Sequence, residues 1–363
     1  MSVDIGIIGL AKSGKTTIFN ALTRGKASTE SQVPNIGVTK VPEPRLQGLA
    51  DTLHPNRVVP AEVRYIDIGA SVKGMAKEQA ISGELLNRLS TVDALINVVR
   101  TFVDDRIPHA EGSLNVERDI ANIDLELAFS DLGILDRRLE RIDTSLKGAK
   151  PAERSAFLRE QELLNKIRAN LEKEAPVREQ GLTAEEMKVI ANYQFLSAKP
   201  LLIVVNIGED QLPQTGSLEA ELNSRYSQPN RRLITICGKL EMELAQLEEG
   251  DAEVFRTELG IKESGLDRTI RTSYELLGLI TFFSTASSEV RAWPIQNGTS
   301  AVKAAGKIHS DMERGFIRAE VISYNDLLQS GSLAEARKKG LLRLEGKNYI
   351  VRDGDVITFL FNV

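Results

Sequence analysis

Eight residues near the start of the chain have the types and spacing of a phosphate-binding loop. The stretch Gly9–Thr16 fits the pattern G-x-x-x-x-G-K-[ST]. In such a loop, backbone N–H groups and the start of the next helix bind phosphates, the lysine reaches the outer phosphates, and the hydroxyl holds Mg²⁺. We therefore expect a nucleoside triphosphate as ligand, with Lys15 as a catalytic group and Thr16 as a metal ligand. The expected phosphate-binding residues are Gly9, Lys12, Ser13, Gly14, Lys15, Thr16 and Thr17.

The residues around this loop have the order that a phosphate site needs. An apolar run typical of a β-strand, Ile5–Ile8, precedes the loop, and a helix-type apolar pattern begins at Ile18. A strand, loop and helix in this order direct the start of the helix at the phosphates. A glycine-rich turn that only joins a strand to a helix is the alternative, but the full pattern in this setting favours a nucleotide site.

The composition limits the other functions of the chain. Its 363 residues correspond to two or three domains, and its net charge of −5 argues against general coating of nucleic acids. The single cysteine, Cys237, excludes an internal disulfide framework, and with only three histidines a Cys/His metal cluster is not expected. Because the sequence has no apolar run of about 18 residues and starts directly with a strand, we expect a cytoplasmic protein without a membrane span or signal peptide.

Strand-like and helix-like segments alternate along much of the chain, which is typical of an α/β domain with a mainly parallel sheet. The apolar run from Leu201 predicts a strand that is buried on both faces. Residues 1–112 and 193–278 are expected to form this nucleotide-binding domain in two parts. The predicted strands are Asp4–Gly9, Val63–Asp67, Asp93–Val99, Leu201–Asn206 and Leu233–Cys237.

A charged helical segment interrupts this domain at residues 113–192. A second helix in it follows the turn Gly148–Pro151, so we expect an antiparallel helical hairpin. The pair either projects as an arm or packs on the core, and the sequence leaves both open. The first helix has a heptad seam that consists of Leu125, Ala128, Leu132, Leu135, Leu139 and Ile142, and the second carries Phe157, Leu164, Ile167 and Leu171.

The last part of the chain, residues 279–363, has the pattern of a separate α+β module. Strands are predicted at Val290–Ile295, Asn348–Val351 and Val356–Phe361, and a short helix is predicted at Ala301–His309. A turn at Arg352–Asp355 joins the last two strands.

A second motif concerns the nucleotide base. Asn206–Glu209 ends a predicted buried strand, where ligands collect in open α/β sheets, and it resembles the N-K-x-D motif with which GTPases read guanine. Because Glu209 is one methylene longer than Asp, the paired contacts to guanine become difficult, and we expect weak guanine selectivity. A polar strand end without a ligand is the alternative. The nucleotide-binding set also includes Ile207, Cys237 and Gly238.

Twelve short stretches spread over nearly the whole chain match one family of P-loop NTPases. They are Gly9–Leu10, Gly14–Thr17, Pro34–Val38, Val41–Leu46, Val72–Gly74, Val98–Arg100, Asn206–Glu209, Gly265–Arg268, Tyr274–Leu279, Glu289–Trp293, Arg314–Val321 and Leu344–Lys347. On these stretches the chain resembles the Obg-like ATPase (YchF type) subfamily. The resemblance implies a GTPase-like domain with an inserted helical hairpin, followed by a β-grasp module called a TGS domain. It also implies hydrolysis of ATP or GTP, with ATP often preferred because of the N-x-x-E motif.

The chain departs from this family where the family contacts the γ-phosphate. The family's Asp-x-Ala-Gly is Asp67-Ile68-Gly69-Ala70 here, so the N–H expected to meet the γ-phosphate belongs to Ala70, and Ser71 follows. The first switch is shorter than expected, and the family's Mg²⁺-binding threonine aligns with Ser31, with Thr29 as a substitute. Asp67 keeps the position of the aspartate that holds Mg²⁺ through water.

Two further residues follow from the resemblance. His109 matches a histidine that the family places on a mobile loop near the γ-phosphate, where a neutral imidazole could orient or deprotonate the attacking water. A surface histidine without a catalytic role is the alternative. Lys12 replaces an asparagine that helps related proteins bind K⁺, so it either supplies a tethered cation or is a solvated lysine.

As the resemblance implies, the leading hypothesis is an NTP-hydrolysing switch that acts on the ribosome. The rival is a binding protein with negligible hydrolysis that works through its TGS domain and helical arm, and a small-molecule kinase is a distant third. Clusters of basic residues outside the nucleotide domain are commonly only solvated surfaces, but the family resemblance favours contact with ribosomal RNA, whose recognition depends on phosphate charge and shape. These basic residues are Lys303, Lys307, Arg314, Arg318, Arg337, Lys338 and Lys339 in the last module and Arg137, Arg138, Arg141 and Lys147 in the arm.

Overall fold

A computed structural model describes residues 3–25, 27, 35–68, 83–261, 263–286 and 288–362. The strands are β1 (Val3–Ile8), β2 (Asn35–Lys40), β3 (Arg57–Val59), β4 (Glu62–Asp67), β5 (Ala94–Arg100), β6 (Leu201–Asn206), β7 (Arg231–Ile236), β8 (Leu279–Ala286), β9 (Glu289–Gln296), β10 (Phe316–Ser323), β11 (Arg343–Glu345) and β12 (Asp355–Phe361). The first ten helices are α1 (Lys15–Thr23), α2 (Arg45–Leu53), α3 (Gly83–Thr91), α4 (Val116–Leu146), α5 (Pro151–Leu171), α6 (Ala184–Ile190), α7 (Thr215–Tyr226), α8 (Gly238–Leu244), α9 (Glu249–Glu258) and α10 (Gly265–Leu276). The last four are α11 (Ala301–Ile308), α12 (Ser310–Arg314), α13 (Tyr324–Ser330) and α14 (Leu333–Lys338).

A six-stranded sheet in the order β2-β4-β1-β5-β6-β7 carries the nucleotide motifs. The pairs β1–β5, β5–β6 and β6–β7 are parallel, as the alternating pattern predicted. Every residue of β5 and β6 is buried, because helices that follow parallel strands cover both faces of such a sheet. The register sets Arg100 beside Asn206. The C-terminal strand ends and the loops after them therefore meet at one edge of the sheet.

The predicted helical hairpin is present, and its first helix contributes to two cores. Ile120, Ile123 and Leu127, in the first half of α4, belong to the apolar cluster that covers the sheet. The second half contributes Ala128, Leu135, Leu139 and Ile142 to a separate cluster with α5. From α5 this second cluster contains Leu163, Leu164, Ile167 and Leu171.

One buried carboxylate fixes the hairpin to the chain before β6. Asp131 on α4 is fully buried, and its two oxygens accept hydrogen bonds of 2.8 Å from the backbone N–H groups of Leu196 and Ser197. Burial raises the pKa of this carboxyl to about 6, while these hydrogen bonds and the charge of Arg178 oppose the shift.

The second sheet has the order β11-β10-β12-β8-β9-β3. β8 and β9 form an antiparallel hairpin, β12 lies parallel to β8, and β10 runs antiparallel to β12. The small residues Ala301, Ala304 and Ala305 allow α11 to pack closely against the core of this sheet. A helix across a mixed sheet of this order is a β-grasp arrangement, as the resemblance implied.

Two sequence predictions are wrong in detail. The predicted strand Asn348–Val351 does not form, and only Ile350 makes an isolated bridge, to Ser300. The backbone of this segment is instead bonded around α11, where the Tyr349 oxygen accepts from Ala301 N at 2.7 Å, and the sheet is extended by β11. In the heptad seam, Leu125 is only half-buried, since this part of α4 turns Leu127 toward the sheet.

Contacts between residues divide the chain into two compact units. The first unit consists of Met1–Val3, Val38–Val63 and Asp267–Val363. The second unit consists of Asp4–Gly37 and Arg64–Leu266. Segment 38–63 joins the first unit through β3, which pairs in parallel with β9. The domain boundaries drawn from the sequence stay a prediction. Among the described residues, no helix combines the length and the apolar character needed to cross a membrane.

Candidate nucleotide-binding site

The loop between β1 and α1 has a backbone shape that depends on its two glycines. Gly9 has φ +147°, and a Cβ there would lie 2.5 Å from the backbone oxygen of Val98. Gly14 has φ +97°, and a Cβ would lie 2.2 Å from Nδ2 of Asn206. Because Gly14 has no side chain to cap α1, the N–H groups of the first helical turn stay available for an anion.

Lys15 lies at the first position of α1, with its ammonium directed back along the loop. Nζ donates to the backbone oxygens of Gly9, at 3.2 Å, and Leu10, at 2.9 Å. Burial lowers the pKa of Lys15 to about 8, and the charge of Asp67 opposes this shift. The ammonium form therefore still predominates at pH 7.

Thr16 and Asp67 form the part of the site that fits a divalent cation. The Thr16 hydroxyl donates to Asp67 Oδ2 at 2.8 Å, and Asn35 Nδ2 lies 3.4 Å from the same oxygen. Asp67 is fully buried, and its Oδ1 has no hydrogen-bond partner within the described ranges. A hydroxyl and a carboxylate are ligands that Mg²⁺ prefers, and an unpartnered buried oxygen suits a cation.

Asn206 joins three segments of the site. Its Nδ2 donates to the backbone oxygen of Ser13 at 3.0 Å, and its Oδ1 accepts from the backbone N–H of Gly238 at 3.0 Å. Gly238 is tightly enclosed, because a Cβ there would lie 2.6 Å from Ile18 Cδ1. The phosphate loop, the end of β6 and the start of α8 are therefore held together by one buried amide.

The other phosphate-loop residues differ in exposure. Ser13 is buried, and its Oγ has no hydrogen-bond partner in the described part of the chain, so this hydroxyl can serve a ligand. Lys12 is exposed and has φ +62°, a left-handed conformation that favours glycine or asparagine. Thr17, on α1, is half-buried.

The residues predicted to read the base are divided between the core and the surface. Ile207 and Cys237 pack in the apolar cluster under the sheet, and burial raises the pKa of the Cys237 thiol. Glu209, at the start of a 3₁₀ turn, is half exposed, and its Oε1 accepts from Lys239 Nζ at 2.8 Å. Sequence reasoning missed Lys239, although its place directly after Gly238 could have indicated it.

His109 has partners on both ring nitrogens. Its Nε2 lies 3.0 Å from Oδ2 of Asp119, in the first turn of α4, and its Nδ1 accepts from the backbone N–H of Glu111 at 3.1 Å. The imidazole is largely buried, with 6% of its side chain exposed. Sequence reasoning did not identify Asp119 as a partner of His109.

Four residues of the sequence-based site lie outside the described residues. They are Ala70, expected at the γ-phosphate, the metal ligand Ser31, its substitute Thr29, and Ser71.

Two families of known proteins match the chain, one near each end. Residues 4–131 match the family described as 50S ribosome-binding GTPase. Residues 279–362 match the YchF-type GTPase C-terminal family, described as a protein of unknown function.

Full-length relatives and one solved structure cover nearly the whole chain. The "Ribosome-binding ATPase YchF" of Bacillus subtilis (strain 168) is 41% identical over 370 residues, with 100% of both chains covered. The protein of the same name from Haemophilus ducreyi is 39% identical over 368 residues, again with 100% of both chains covered. The structure of the Schizosaccharomyces pombe YchF GTPase matches with a TM-score of 0.84 and 28% identity, covering 99% of this chain and 98% of the other.

Proposed function

The chain belongs to the YchF family, and from this premise we propose that it binds and hydrolyses ATP or GTP at the phosphate loop and associates with the ribosome. The single observation that carries the nucleotide part is the grouping of Lys15, Thr16, Asp67 and Asn206 around Gly9–Gly14. These contacts come from three separate segments of the sequence. They supply a cation for the phosphates, a hydroxyl and carboxylate pair, and a buried amide that fixes the loop.

Mg²⁺ is the metal that this site fits. Thr16 and Asp67 would hold it, and their hydroxyl and carboxylate oxygens match its preference for hard ligands. When bound, Mg²⁺ neutralises charge on the phosphates during phosphoryl transfer. We propose Ser31 as a further ligand on the family alignment alone.

The protein's own contribution to hydrolysis is positioning and charge. Lys15 is positively charged at pH 7 and is already held at the loop, so little reorganisation is needed when charge develops on the outer phosphates. His109 would orient the attacking water, for which its imidazole must leave Asp119. Because Gly69 and Ala70 depart from the family motif at the γ-phosphate, we propose that turnover is slow.

The base site supports ATP at least as well as GTP. Guanine selectivity needs a carboxylate that accepts two ring N–H donors, and Glu209 already accepts from Lys239. Ile207 packs in the apolar core, so its side chain is not available to contact the base. Polar groups nearby would have to recognise the base.

The names of the relatives include ribosome binding, and we propose the ribosome as the partner of this protein as well. Because ribosomes are cytoplasmic, we propose that the protein acts in the cytoplasm. Several basic side chains of the C-terminal module make local ion pairs, and such exposed pairs are worth only about 0–1 kcal/mol, so RNA phosphates can replace the carboxylates. The pairs are Lys303–Glu313, Arg314–Asp311, Arg337–Glu320 and Lys338–Glu335. Arg318 and Lys339 are exposed, with no ion pair to another described residue.

Co-sedimentation of the full-length protein with ribosomes tests the partner. We expect binding that weakens steeply from low to moderate salt and is stronger with a non-hydrolysable triphosphate than with a diphosphate. Arg318→Glu should weaken it further, whereas Arg232→Glu, an exposed position on β7 outside the arm and the C-terminal module, tests whether any charge reversal has this effect. Full-length protein that stays in the supernatant at low salt with either nucleotide would contradict the ribosome assignment and leave the nucleotide site standing.

A further inference from the structure

An ion pair lies beside the residue that organises the base end of the site. Glu209 follows Asn206 on the loop after β6, and Lys239 follows Gly238, whose N–H donates to the Asn206 side chain. Lys239 Nζ donates to Glu209 Oε1 at 2.8 Å, and Glu243 lies 4.0 Å from the same nitrogen. The two segments joined by Asn206 are therefore also joined by a charged contact.

The chemistry of the two purines differs at the edge that a carboxylate would read. Guanine presents two donors, N1–H and the 2-amino group, which a free carboxylate accepts together. Adenine presents one amino donor next to an acceptor nitrogen. With one oxygen of Glu209 on an ammonium, the carboxylate is partly neutralised, and the paired contact to guanine requires that the ion pair first break.

We infer that Lys239 is a specificity-determining residue, which acts through Glu209 to lower the preference for guanine nucleotides. This inference rests on the proposed nucleotide function. Both side chains are more than half exposed, at 68% for Lys239 and 51% for Glu209. Because exposed ion pairs are weak, the expected effect is about two- to five-fold in the ratio of the GTP and ATP affinities.

The test measures that ratio by calorimetry in four full-length proteins and two control variants, with the β,γ-methylene analogues of ATP and GTP in excess Mg²⁺. The proteins are the wild type, Lys239→Met, Glu209→Gln and the double variant. Lys239→Arg retains a cation for Glu209, and Lys188→Met, on α6, is a matched control for the loss of one exposed lysine. We expect Lys239→Met to shift the ratio toward GTP two- to five-fold, and to have no effect on it in the Glu209→Gln background.

Three results would overturn the inference, and they differ from one another. Equal changes in both affinities would reduce Lys239 to a general electrostatic role. The same shift with and without Glu209 would mean that Lys239 acts on the base directly. A wild type that binds neither analogue would remove the proposed function as well, which distinguishes that failure from a failure of Lys239 alone.

Discussion

The hydroxyl of Thr16 donates a hydrogen bond of 2.8 Å to Oδ2 of Asp67, 51 positions away in the sequence. This contact joins the first turn of α1 to the end of β4 and leaves Asp67 Oδ1 buried with no hydrogen-bond partner in the described ranges. Both groups are the kind that hold Mg²⁺ in proteins. We interpret the pair as the metal-binding half of the nucleotide site.

Replacing the hydroxyl tests this interpretation. Thr16→Val keeps the shape of the side chain and removes an oxygen ligand, so Mg²⁺-dependent nucleotide affinity should fall about ten- to hundred-fold, the size of a lost bond to a charged group. The measurement is calorimetric titration with ATP and with GTP, with and without Mg²⁺. Thr144→Val is the matched control, because the Thr144 hydroxyl donates to the backbone oxygen of Glu140 within α4, away from the nucleotide motifs. If the two variants bind Mg²⁺ nucleotide equally well, Thr16 is not a metal ligand.

Lys12 has an unfavourable backbone conformation for its type, with φ +62°. If its ammonium supplies the tethered cation, hydrolysis by the wild type should change little when K⁺ is replaced by Na⁺. Lys12→Asn restores the residue expected in the family and should introduce dependence on K⁺. It should also stabilise the fold by a few tenths of a kcal/mol, since asparagine tolerates this conformation better. Strong K⁺ activation of the wild type would show that Lys12 does not replace the ion.

His109 gives a test of the catalytic assignment. His109→Ala should slow hydrolysis about a hundred-fold or more, the usual contribution of a positioned general base, with nucleotide affinity nearly unchanged. Asp119→Ala releases the imidazole from its partner 3.0 Å away and should not slow hydrolysis. Rates are compared at saturating nucleotide, with folding of both variants checked by thermal melting. Unchanged turnover in His109→Ala would remove this residue from the mechanism.

Local sequence patterns indicated the phosphate loop of the candidate site, because the backbone shape of that loop depends on residues that are adjacent in the sequence. The phosphate loop follows from Gly9, Gly14 and Lys15 alone, since only glycine fits the two tight backbone positions. Asn206 was predicted from its motif, but its contact with Ser13 depends on the parallel register of β5 and β6. The pairs Glu209–Lys239 and His109–Asp119 each join separate segments, and no periodicity in the sequence indicates such contacts.

In the fold too, local patterns predicted the regular elements, and contacts between distant segments decided the rest. The apolar runs of β5 and β6 predicted buried parallel strands, and the heptad seam predicted the pairing of α4 with α5. The stretch Asn348–Val351 has strand-like residues, yet its backbone bonds to the start of α11, because that helix needs partners there. Strand propensity alone cannot predict whether such a segment forms a strand, because the outcome depends on the elements that lie beside it in the fold.

Asp131 gives a pH prediction. Its carboxyl has a pKa of about 6 in the folded protein and an ordinary value of 3.8, so between these values the folded chain holds a proton that the unfolded chain has lost. The free energy of unfolding should therefore fall as pH rises from about 4 to 6, by on the order of 2 kcal/mol. In Asp131→Asn, which has no carboxyl at this position, the fall in the free energy of unfolding that is due to Asp131 should be absent. Urea unfolding at several pH values measures the free energy of unfolding of the wild type and of Asp131→Asn. If the two proteins show the same dependence on pH, the pKa of Asp131 is not raised in the folded protein.

The most direct test of the central claim is phosphate release by the purified full-length protein from ATP and from GTP in Mg²⁺, with and without ribosomes. The wild type should release phosphate, and Lys15→Ala should lose at least about a hundred-fold, because the outer phosphates lose their preorganised positive charge. Lys188→Ala, which removes an exposed lysine of α6, should retain the wild-type rate. A wild type that releases no more phosphate than Lys15→Ala under all of these conditions would contradict the account.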